Sequence, residues 1–352
     1  QGRTTELKYI DMHCDTMASI WYSRLRGENF DLSDAPLMVN LNKLKQGDCL
    51  CQTFAMFVYL NRPENFDGRQ EHGTVQGNEK KMDPWFGVSE ILKVFQEQME
   101  KHQENIRQVR TGTEVAQALQ EASPMVTALL SVEEGGVCKG DPEALQKLYD
   151  AGARMMTLTW NFENELASPN VPIPGQYYRF VPRTDNGLKK RGFEFVERMQ
   201  QLSMLVDVSH LSDAGFYDVE KTVKGPFIAS HSNARSVCGC NRNMTDDMIR
   251  RLANHGGVMG LNFAPEFLEE SDHPRETVEN AVRMASYIKK VGGIEVLGLG
   301  SDFDGIEGEL EIGGADQMEL LADGLSRAGF TASEIEQVFY KNVLRVFQEV
   351  LG

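Results

Sequence analysis

The sequence predicts an α/β protein, a (β/α)8 TIM barrel with a long insertion after its second strand. Three observations predict it. The chain has 352 residues, and barrels with insertions run from about 200 to over 400 residues. Eight short apolar runs alternate with amphipathic segments, as in a parallel sheet with helical crossovers. The runs are almost continuously apolar, as strands buried on both faces should be. With no internal repeat or linker, we expect a single barrel domain over residues 1–352.

Each predicted element follows from its residues in order. The strands are the apolar runs 10–15, 49–58, 127–133, 154–160, 204–210, 226–231, 257–263 and 295–302. A polar insertion at 60–85 and a proline-containing loop at 161–186 interrupt the pattern. Apolar residues at helical spacing and capping residues, including Thr113 and Asp141, predict helices at 86–108, 113–122, from 142, at 187–202, from 212, from 246, and at 274–290, 314–328 and 332–349.

Charge and composition exclude several classes of partner. The formal net charge is −16, which argues against nucleic acid and anionic membrane surfaces, since both require basic protein. No run approaches the roughly 20 apolar residues of a membrane span. The first residues show no signal peptide, which favours a cytoplasmic protein; export with a removed leader is the alternative. The six cysteines include two C-x-C pairs, and we expect buried free thiols rather than a zinc site.

Acidic residues and histidines end or directly follow several predicted strands. Barrel enzymes place their active sites at the carboxyl ends of the strands, so these side chains should meet there. Imidazole and carboxylate ligands suit zinc and related divalent ions, and the set suffices for two ions if one carboxylate bridges them. A hydrogen-bonded His–Asp pair without metal is the alternative for the first strand alone. The residues are His13, Asp15, Glu133, His210, His231 and Asp302.

Seven short motifs carry a resemblance to a known family over nearly the whole chain. They are Asp11-Met-His-Cys-Asp-Thr16, Ser131-Val-Glu-Glu-Gly-Gly136, Met156-Thr-Leu-Thr159, Asp207-Val-Ser-His210, Ser230-His-Ser232, Cys238-Gly-Cys-Asn-Arg-Asn243 and Gly300-Ser-Asp-Phe-Asp-Gly305. In this order they resemble the membrane dipeptidase (renal dipeptidase) family of zinc peptidases, which belongs to the amidohydrolase-like metal-dependent barrels.

The resemblance implies a binuclear zinc site with two Zn²⁺ per chain. His13 and Asp15 would bind one ion, His210 and His231 the other, and Glu133 would bridge them. Glu134 is the rival for the bridge, because the family pattern is Glu-Gly-Gly. Glu133 is preferred because it directly follows the apolar strand.

The resemblance also implies roles in substrate binding and proton transfer. Arg242 matches the family arginine that binds the terminal carboxylate of the substrate, a task suited to a guanidinium. Asp302 matches the proton-transfer aspartate, and Asp304 shares its face. The family often has a histidine that contacts the substrate where this chain has Trp160. Because indole cannot carry a proton, Asn161 or another group takes over or the contact is missing.

The implied reaction is hydrolysis of a dipeptide, including dipeptides with a C-terminal D-residue, by a metal-bridging hydroxide. Two alternatives stay open: another amidohydrolase-type reaction, on a lactone or an N-acyl amino acid, and a metal-binding barrel without catalysis. Homodimers are common in the family, so a homodimer is also expected.

Overall fold

The structure is a computed structural model that describes residues 7–62, 64, 80–121, 125–173 and 176–352. Its strands are β1 (Tyr9–Cys14), β2 (Cys49–Phe57), β3 (Ile106–Val109), β4 (Val126–Glu133), β5 (Ala153–Thr157), β6 (Val171–Ile173), β7 (Gln176–Val181), β8 (Leu205–Asp207), β9 (Ile228–Ala229), β10 (Val258–Leu261), β11 (Arg275–Glu276), β12 (Leu297–Leu299) and β13 (Glu309–Leu310).

Helices separate most of the strands. They are α1 (Thr16–Leu25), α2 (Leu41–Gln46), α3 (Pro84–Lys101), α4 (Gly112–Leu119), α5 (Pro142–Asp150), α6 (Lys190–Gln201), α7 (Asp213–Thr222), α8 (Asp246–Asn254), α9 (Pro265–Leu268), α10 (Val278–Gly292), α11 (Met318–Arg327), α12 (Ala332–Glu336) and α13 (Asn342–Leu351), with 3-10 turns at Gly135–Cys138 and Ile294–Val296 and a π-helical turn at Gln337–Lys341.

Eight of the strands form a closed parallel ring, which confirms the predicted (β/α)8 barrel. Their order is β2-β1-β12-β10-β9-β8-β5-β4, and β4 closes the ring by pairing with β2 from Cys51↔Thr127 to Phe57↔Glu133. Because every ring strand is parallel to its neighbours, all of their carboxyl ends lie at one mouth of the barrel.

A ninth parallel strand, β3, was not predicted. The expected helix over 86–108 is wrong at its end, because α3 stops at Lys101 and residues 106–109 form β3. β2 pairs with one edge of β4 along nearly the whole length of β4. On the other edge, β3 pairs with the first half of β4 and β5 with the second half, from Leu130 onward. The apolar residues of α3 do have helical spacing, but that spacing does not indicate that the chain turns after His102 and pairs as a strand with the first half of β4.

Other element boundaries also differ from the predictions. The expected loop over 161–186 contains the antiparallel hairpin of β6 and β7. Thr111, not Thr113, caps α4: its hydroxyl accepts the Glu114 N–H, and the Glu114 carboxylate accepts the Thr111 N–H, a capping box. Most of the predicted insertion at 60–85 lies outside the described residues.

Two hydrophobic clusters fill the barrel and its surroundings. The larger one lies between the ring and the outer helices and includes Cys14. The smaller one combines side chains from strands around the ring, which can meet only inside the barrel, with Val115 and Ala118 of α4 and Val343 and Phe347 of α13. These two helices therefore cover the end of the barrel opposite its mouth.

The six cysteines are buried free thiols, as predicted. In the part of the chain that the structure describes, no helix is long and apolar enough to cross a membrane.

Candidate active site

The predicted strand-end residues meet at the barrel mouth. His13 is the penultimate residue of β1 and Asp15 follows the strand; their side chains face each other, with His13 Nε2 3.3 Å from Asp15 Oδ2. Cys14 points to the outer cluster. His13 Nε2 also lies 3.7 Å from Asp302 Oδ1, which follows the neighbouring strand β12. Across the mouth, the His13 ring stacks on that of His231 with centroids 3.8 Å apart. The mouth therefore gathers side chains from distant parts of the chain.

Glu133 lies between two groups of these side chains. Its Oε2 is 3.1 Å from His13 Nε2, on the side of Asp15 and Asp302. Its Oε1 is 2.9 Å from His210 Nε2 and 3.4 Å from His231 Nε2. The two oxygens of one carboxylate thus face two separate sets of ligand atoms, the geometry required of a bridging ligand.

The second group is oriented by hydrogen bonds on the far side of each imidazole. His210 Nδ1 lies 2.9 Å from Asn161 Oδ1, which can only accept, so Nδ1 carries the proton. The Ser230 hydroxyl donates to Asp207 Oδ2 (2.5 Å) and therefore accepts from His231 Nδ1 (2.7 Å). Both Nε2 atoms are left with a lone pair directed into the mouth, as metal-ligating histidines require.

The donor set fits a metal centre. The Nε2 atoms of His210 and His231 are only 3.1 Å apart and both approach a carboxylate oxygen. Two lone pairs facing each other repel unless a positive charge lies between them. Asp15 Oδ1 is buried and accepts no hydrogen bond from the described residues. Two groups of three residues each bring their potential ligand atoms within 4.8 Å of one another: His13, Glu133 and His231 form one group, and His13, Asp15 and Asp302 form the other.

Burial dominates the electrostatics of these groups. It lowers the pKa values of His210 and His231 well below the usual range, with contributions from the Arg242 and His13 charges. Burial also lowers the pKa of His13, but Glu133 and Asp15 outweigh it and the net shift is upward. Burial raises the pKa of Asp302 to about 8. In the metal-free site, burial thus favours the neutral form of His210 and His231 and the protonated form of Asp302, whereas the neighbouring carboxylates favour the charged form of His13.

His210 and Asp302 have positive φ values, +70° and +65°. Non-glycine residues adopt this left-handed conformation rarely, and such backbone strain occurs preferentially at functional sites. It lets the chain turn sharply at the strand end while the side chain stays over the mouth.

Arg242 lies beside this cluster with part of its binding capacity unused. Its guanidinium is buried and donates from Nη2 to the His231 carbonyl (3.1 Å), while its Nε has no hydrogen-bond partner among the described residues. Within the described chain it forms no ion pair with a carboxylate. A buried cation at the mouth with a spare N–H can receive an anionic group.

The two rival acids lie elsewhere. Glu134 turns away from the mouth: its carboxylate accepts the N–H groups of Gly136 (2.8 Å) and Trp160 (2.9 Å) and the amide of Asn164 (2.5 Å). Asp304 accepts the Met38 N–H (2.7 Å) and the Thr16 hydroxyl (2.7 Å). Each carboxylate holds a loop and is turned toward its own donors.

Trp160 and Asn161 occupy the mouth beside His210. The Trp160 indole centroid is 6.2 Å from the His210 ring, within a set of aromatic side chains. Asn161 contacts His210 through the hydrogen bond described above. Both lie where the sequence predicted substrate contacts.

The sequence did not predict a structural role for two buried aspartates. Asp11 accepts the N–H and hydroxyl of Ser301 (2.8 and 2.6 Å) and ties β1 to β12. Asp207 accepts the Ser230 N–H and hydroxyl and ties β8 to β9. Each precedes a mouth histidine by two or three residues inside an apolar strand. A charged residue in a strand buried on both faces was the available signal.

Comparison with solved structures finds the same fold in a metallo peptidase. The metallo peptidase of Rhodobacter sphaeroides, crystallised with a phosphinate mimic of L-Ala-D-Ala, superimposes with a TM-score of 0.83 at 20% sequence identity, over 98% of this chain and 100% of that chain. At that identity the likeness concerns the fold.

Sequence comparison identifies the family. The model of the family "Membrane dipeptidase (Peptidase family M19)" matches residues 4–351, and the chain belongs to this family. A protein in the pqqA 5′ region of Klebsiella pneumoniae is 33% identical over 225 residues, 62% of this chain and 80% of that protein. A dipeptidase of Schizosaccharomyces pombe is 36% identical over 207 residues, 58% of this chain; the match spans only 48% of that protein. The resemblance found in the sequence is confirmed, and the chain is a metallo-dipeptidase, a hydrolase of peptide bonds.

Proposed function

We propose that the chain is a zinc-dependent dipeptidase with a binuclear centre. His13 and Asp15 would hold one Zn²⁺, His210 and His231 the other, and Glu133 would bridge them. The observation that carries this proposal is the division of the Glu133 oxygens between the two groups, 3.1 Å from His13 on one side and 2.9 Å from His210 on the other. When bound, the ions would supply Lewis acidity and lower the pKa of water.

The residues around this centre would bind and orient the substrate. Arg242 would receive the C-terminal carboxylate of a dipeptide, because a buried guanidinium with an unpaired Nε forms strong charge-assisted hydrogen bonds. Binding of the terminal carboxylate beside the centre would restrict substrates to short peptides. We include C-terminal D-residues in the proposed substrate class because the Rhodobacter sphaeroides metallo peptidase of the same fold binds a phosphinate mimic of L-Ala-D-Ala.

Asp302 would transfer the proton. It lies on the mouth with Oδ1 toward His13, and its Oδ2 accepts the Asn262 amide (3.0 Å), which fixes its orientation. Burial raises its pKa to about 8 in the metal-free protein, and a carboxylate in this position would accept a proton from water and return it to the leaving amine.

The test is removal and replacement of the metal. Chelator-treated protein is reconstituted with Zn²⁺, its metal content is measured, and hydrolysis is assayed on Ala-Ala, Ala-D-Ala, N-acetyl-alanine and a γ-lactone. We expect about two zinc ions per chain and zinc-dependent hydrolysis of the dipeptides.

Two results would contradict the proposal. Hydrolysis of the lactone or the N-acyl amino acid with none of either dipeptide would replace it with the corresponding amidohydrolase activity. No gain in hydrolysis of any substrate on adding zinc would count against the metal centre.

A further inference from the structure

We propose that an aromatic wall at the barrel mouth binds the N-terminal side chain of the substrate and selects dipeptides that begin with a large apolar residue. The aromatic wall consists of Phe57, Tyr59, Trp160 and Phe162. This inference rests on the proposed dipeptidase function and specifies its substrate class.

The four rings are in continuous contact. Phe57 and Tyr59 pack edge to face with centroids 4.6 Å apart, and Trp160 lies 4.9 Å from Phe57 and 5.1 Å from Tyr59. Phe162 extends the wall on the other side of Trp160 at 5.4 Å. Phe57 is buried, whereas the other three are half-buried. Trp160 is therefore the central ring of the wall.

The wall lies directly against the candidate metal centre. The Trp160 ring is 6.2 Å from that of His210. Phe57 ends β2, where it is paired with Glu133 at the end of β4. A group that contacts the wall is thus within a side chain's length of the scissile bond.

The ring order of the strands assigns the wall to one end of the substrate. Its residues follow β2 and β5, the two neighbours of β4. Arg242 contacts residues that follow β9, and Asp302 follows β12, on the other side of the ring. A dipeptide whose C-terminal carboxylate is bound by Arg242 crosses the mouth over Glu133 and points its N-terminal residue at the wall.

The wall is held in place before substrate arrives. The buried Glu134 carboxylate accepts the backbone N–H of Trp160 at 2.9 Å and the side-chain amide of Asn164, which fixes the loop that carries Trp160 and Phe162. A preorganised apolar surface gains affinity because little side-chain entropy is lost on binding. None of its four side chains carries a formal charge, so an acidic or glycine residue at the N-terminal position gains little from it.

The test compares substrates that differ only in the N-terminal residue. Zinc-loaded wild type and Trp160→Ala are assayed on Phe-Gly, Leu-Gly, Gly-Gly and Asp-Gly. We expect wild-type kcat/KM for Phe-Gly and Leu-Gly to exceed that for Gly-Gly at least tenfold, because apolar contacts of this size discriminate by about 10- to 200-fold. Trp160→Ala should abolish most of that ratio, while Trp160→Phe should keep it within about threefold.

Two measurements separate a local effect from misfolding. Thermal unfolding and zinc content are recorded for each variant, and Phe162→Ala tests the same wall if Trp160→Ala does not fold. Tyr340→Leu is the matched control, because Tyr340 is a half-buried aromatic residue packed on the cluster at the opposite end of the barrel. It should leave the ratio unchanged.

The outcomes distinguish this inference from the function on which it rests. A folded, zinc-loaded Trp160→Ala enzyme with the wild-type ratio, or a wild type that prefers Gly-Gly or Asp-Gly, overturns the wall as a specificity site and leaves the dipeptidase activity intact. Failure of the zinc-loaded wild type to hydrolyse any of the four dipeptides refutes the dipeptidase function itself.

Discussion

Adjacent glutamates at the end of β4 have opposite surroundings. Glu133 faces three imidazoles, whereas Glu134, at φ +96°, faces away and accepts hydrogen bonds from the 160–164 loop and from Gly136. Burial raises the pKa of Glu134 to about 7. From the sequence the two residues were rivals for one role, and the pleat of the strand separates them.

We predict that Glu133→Gln and Glu134→Gln fail in different ways. Glu133→Gln should lose zinc and at least a thousandfold in kcat, with little loss of stability in the metal-free state. Glu134→Gln should retain zinc but lose about 1–3 kcal/mol of unfolding free energy, because its NH2 group cannot accept one of the buried N–H groups. Metal analysis and urea unfolding of both variants provide the check. Zinc loss in Glu134→Gln with normal zinc content in Glu133→Gln would reverse the assignment.

A second prediction concerns Asn161, which was expected to contact substrate but accepts the Nδ1 proton of His210. Partners of this kind typically contribute 10- to 100-fold to metal affinity. Asn161→Ala should therefore weaken zinc binding by that factor in a chelator competition. With saturating zinc, KM should stay close to wild type. A raised KM with unchanged zinc affinity would instead support the substrate contact, and Asn254→Ala on α8 serves as the control.

Among the elements, α4 and α13 are packed unusually closely. A Cβ on Gly112 would lie 2.2 Å from the backbone nitrogen of Gln348, and the Thr113 N–H donates to the Gly352 carbonyl (2.9 Å). The two helices can therefore pack this closely over the barrel end only because residue 112 is a glycine.

We predict that Gly112→Ala destabilises the fold by about 1–3 kcal/mol or more, the usual effect of overpacking against backbone. Gly225→Ala is the control, since no atom lies within 4 Å of its added Cβ and its φ is not positive. Urea unfolding should show a midpoint below that of wild type for Gly112→Ala and an unchanged midpoint for Gly225→Ala. Equal midpoints would mean that α13 can shift away without cost.

The segment before α2 is attached to the end of α3 by Asp31. Its carboxylate accepts hydrogen bonds from Lys101 (2.5 Å) and His102 (2.7 Å). Partial burial raises its pKa, but these bonds and the Ser33 N–H outweigh it and hold the pKa well below the usual range. A carboxyl whose pKa is lowered by folding stabilises the native state above its unfolded pKa, near 4, and loses that contribution as the pH falls.

Asp31→Asn should therefore lower the unfolding free energy by about 1 kcal/mol at pH 7, a modest value because Lys101 is largely exposed, and by a smaller amount at pH 3, where part of the contribution is already lost. Chemical unfolding at the two pH values measures it. Asp34→Asn, at an exposed neighbour, should show no such pH dependence. The same loss at pH 3 as at pH 7 would exclude the ionic contribution.

At the scale of the whole molecule, metal and stability should be coupled. Asp15, Glu133 and Asp302 bring three carboxylates together in a chain of net charge −16, and a ligand that binds only the folded state stabilises it by about 4 kcal/mol at a thousand times its Kd. Chelation should lower the melting temperature, and zinc should restore it. The effect should be absent in Glu133→Gln. An unchanged melting temperature on chelation of a protein shown to contain zinc would contradict the coupling.

The sequence predicted the barrel and the place of its mouth because period-two and period-3.6 patterns report directly on burial. The strand ends at His13, Glu133, His210, His231 and Asp302 were predicted to meet, and they do. Local patterns could not predict β3, since four residues with two inward apolar positions look like the end of a helix. They also could not show the direction of Glu134 or the partner of Asn161, which depend on contacts between residues about 25 to 50 positions apart.

Asp11 and Asp207 divide the barrel mouth into two separately braced halves. Asp11 ties together the strands of His13 and Asp302, and Asp207 ties together those of His210 and His231. Glu133 and the His13–His231 stack join the halves. On the proposed metal assignment, the two ions would enter sites of different charge, one with two carboxylates and one imidazole and the other with two imidazoles and one carboxylate. Loading should then be sequential, and the first ion should fix the Glu133 carboxylate for the second, so that a zinc titration followed by calorimetry has two distinct steps.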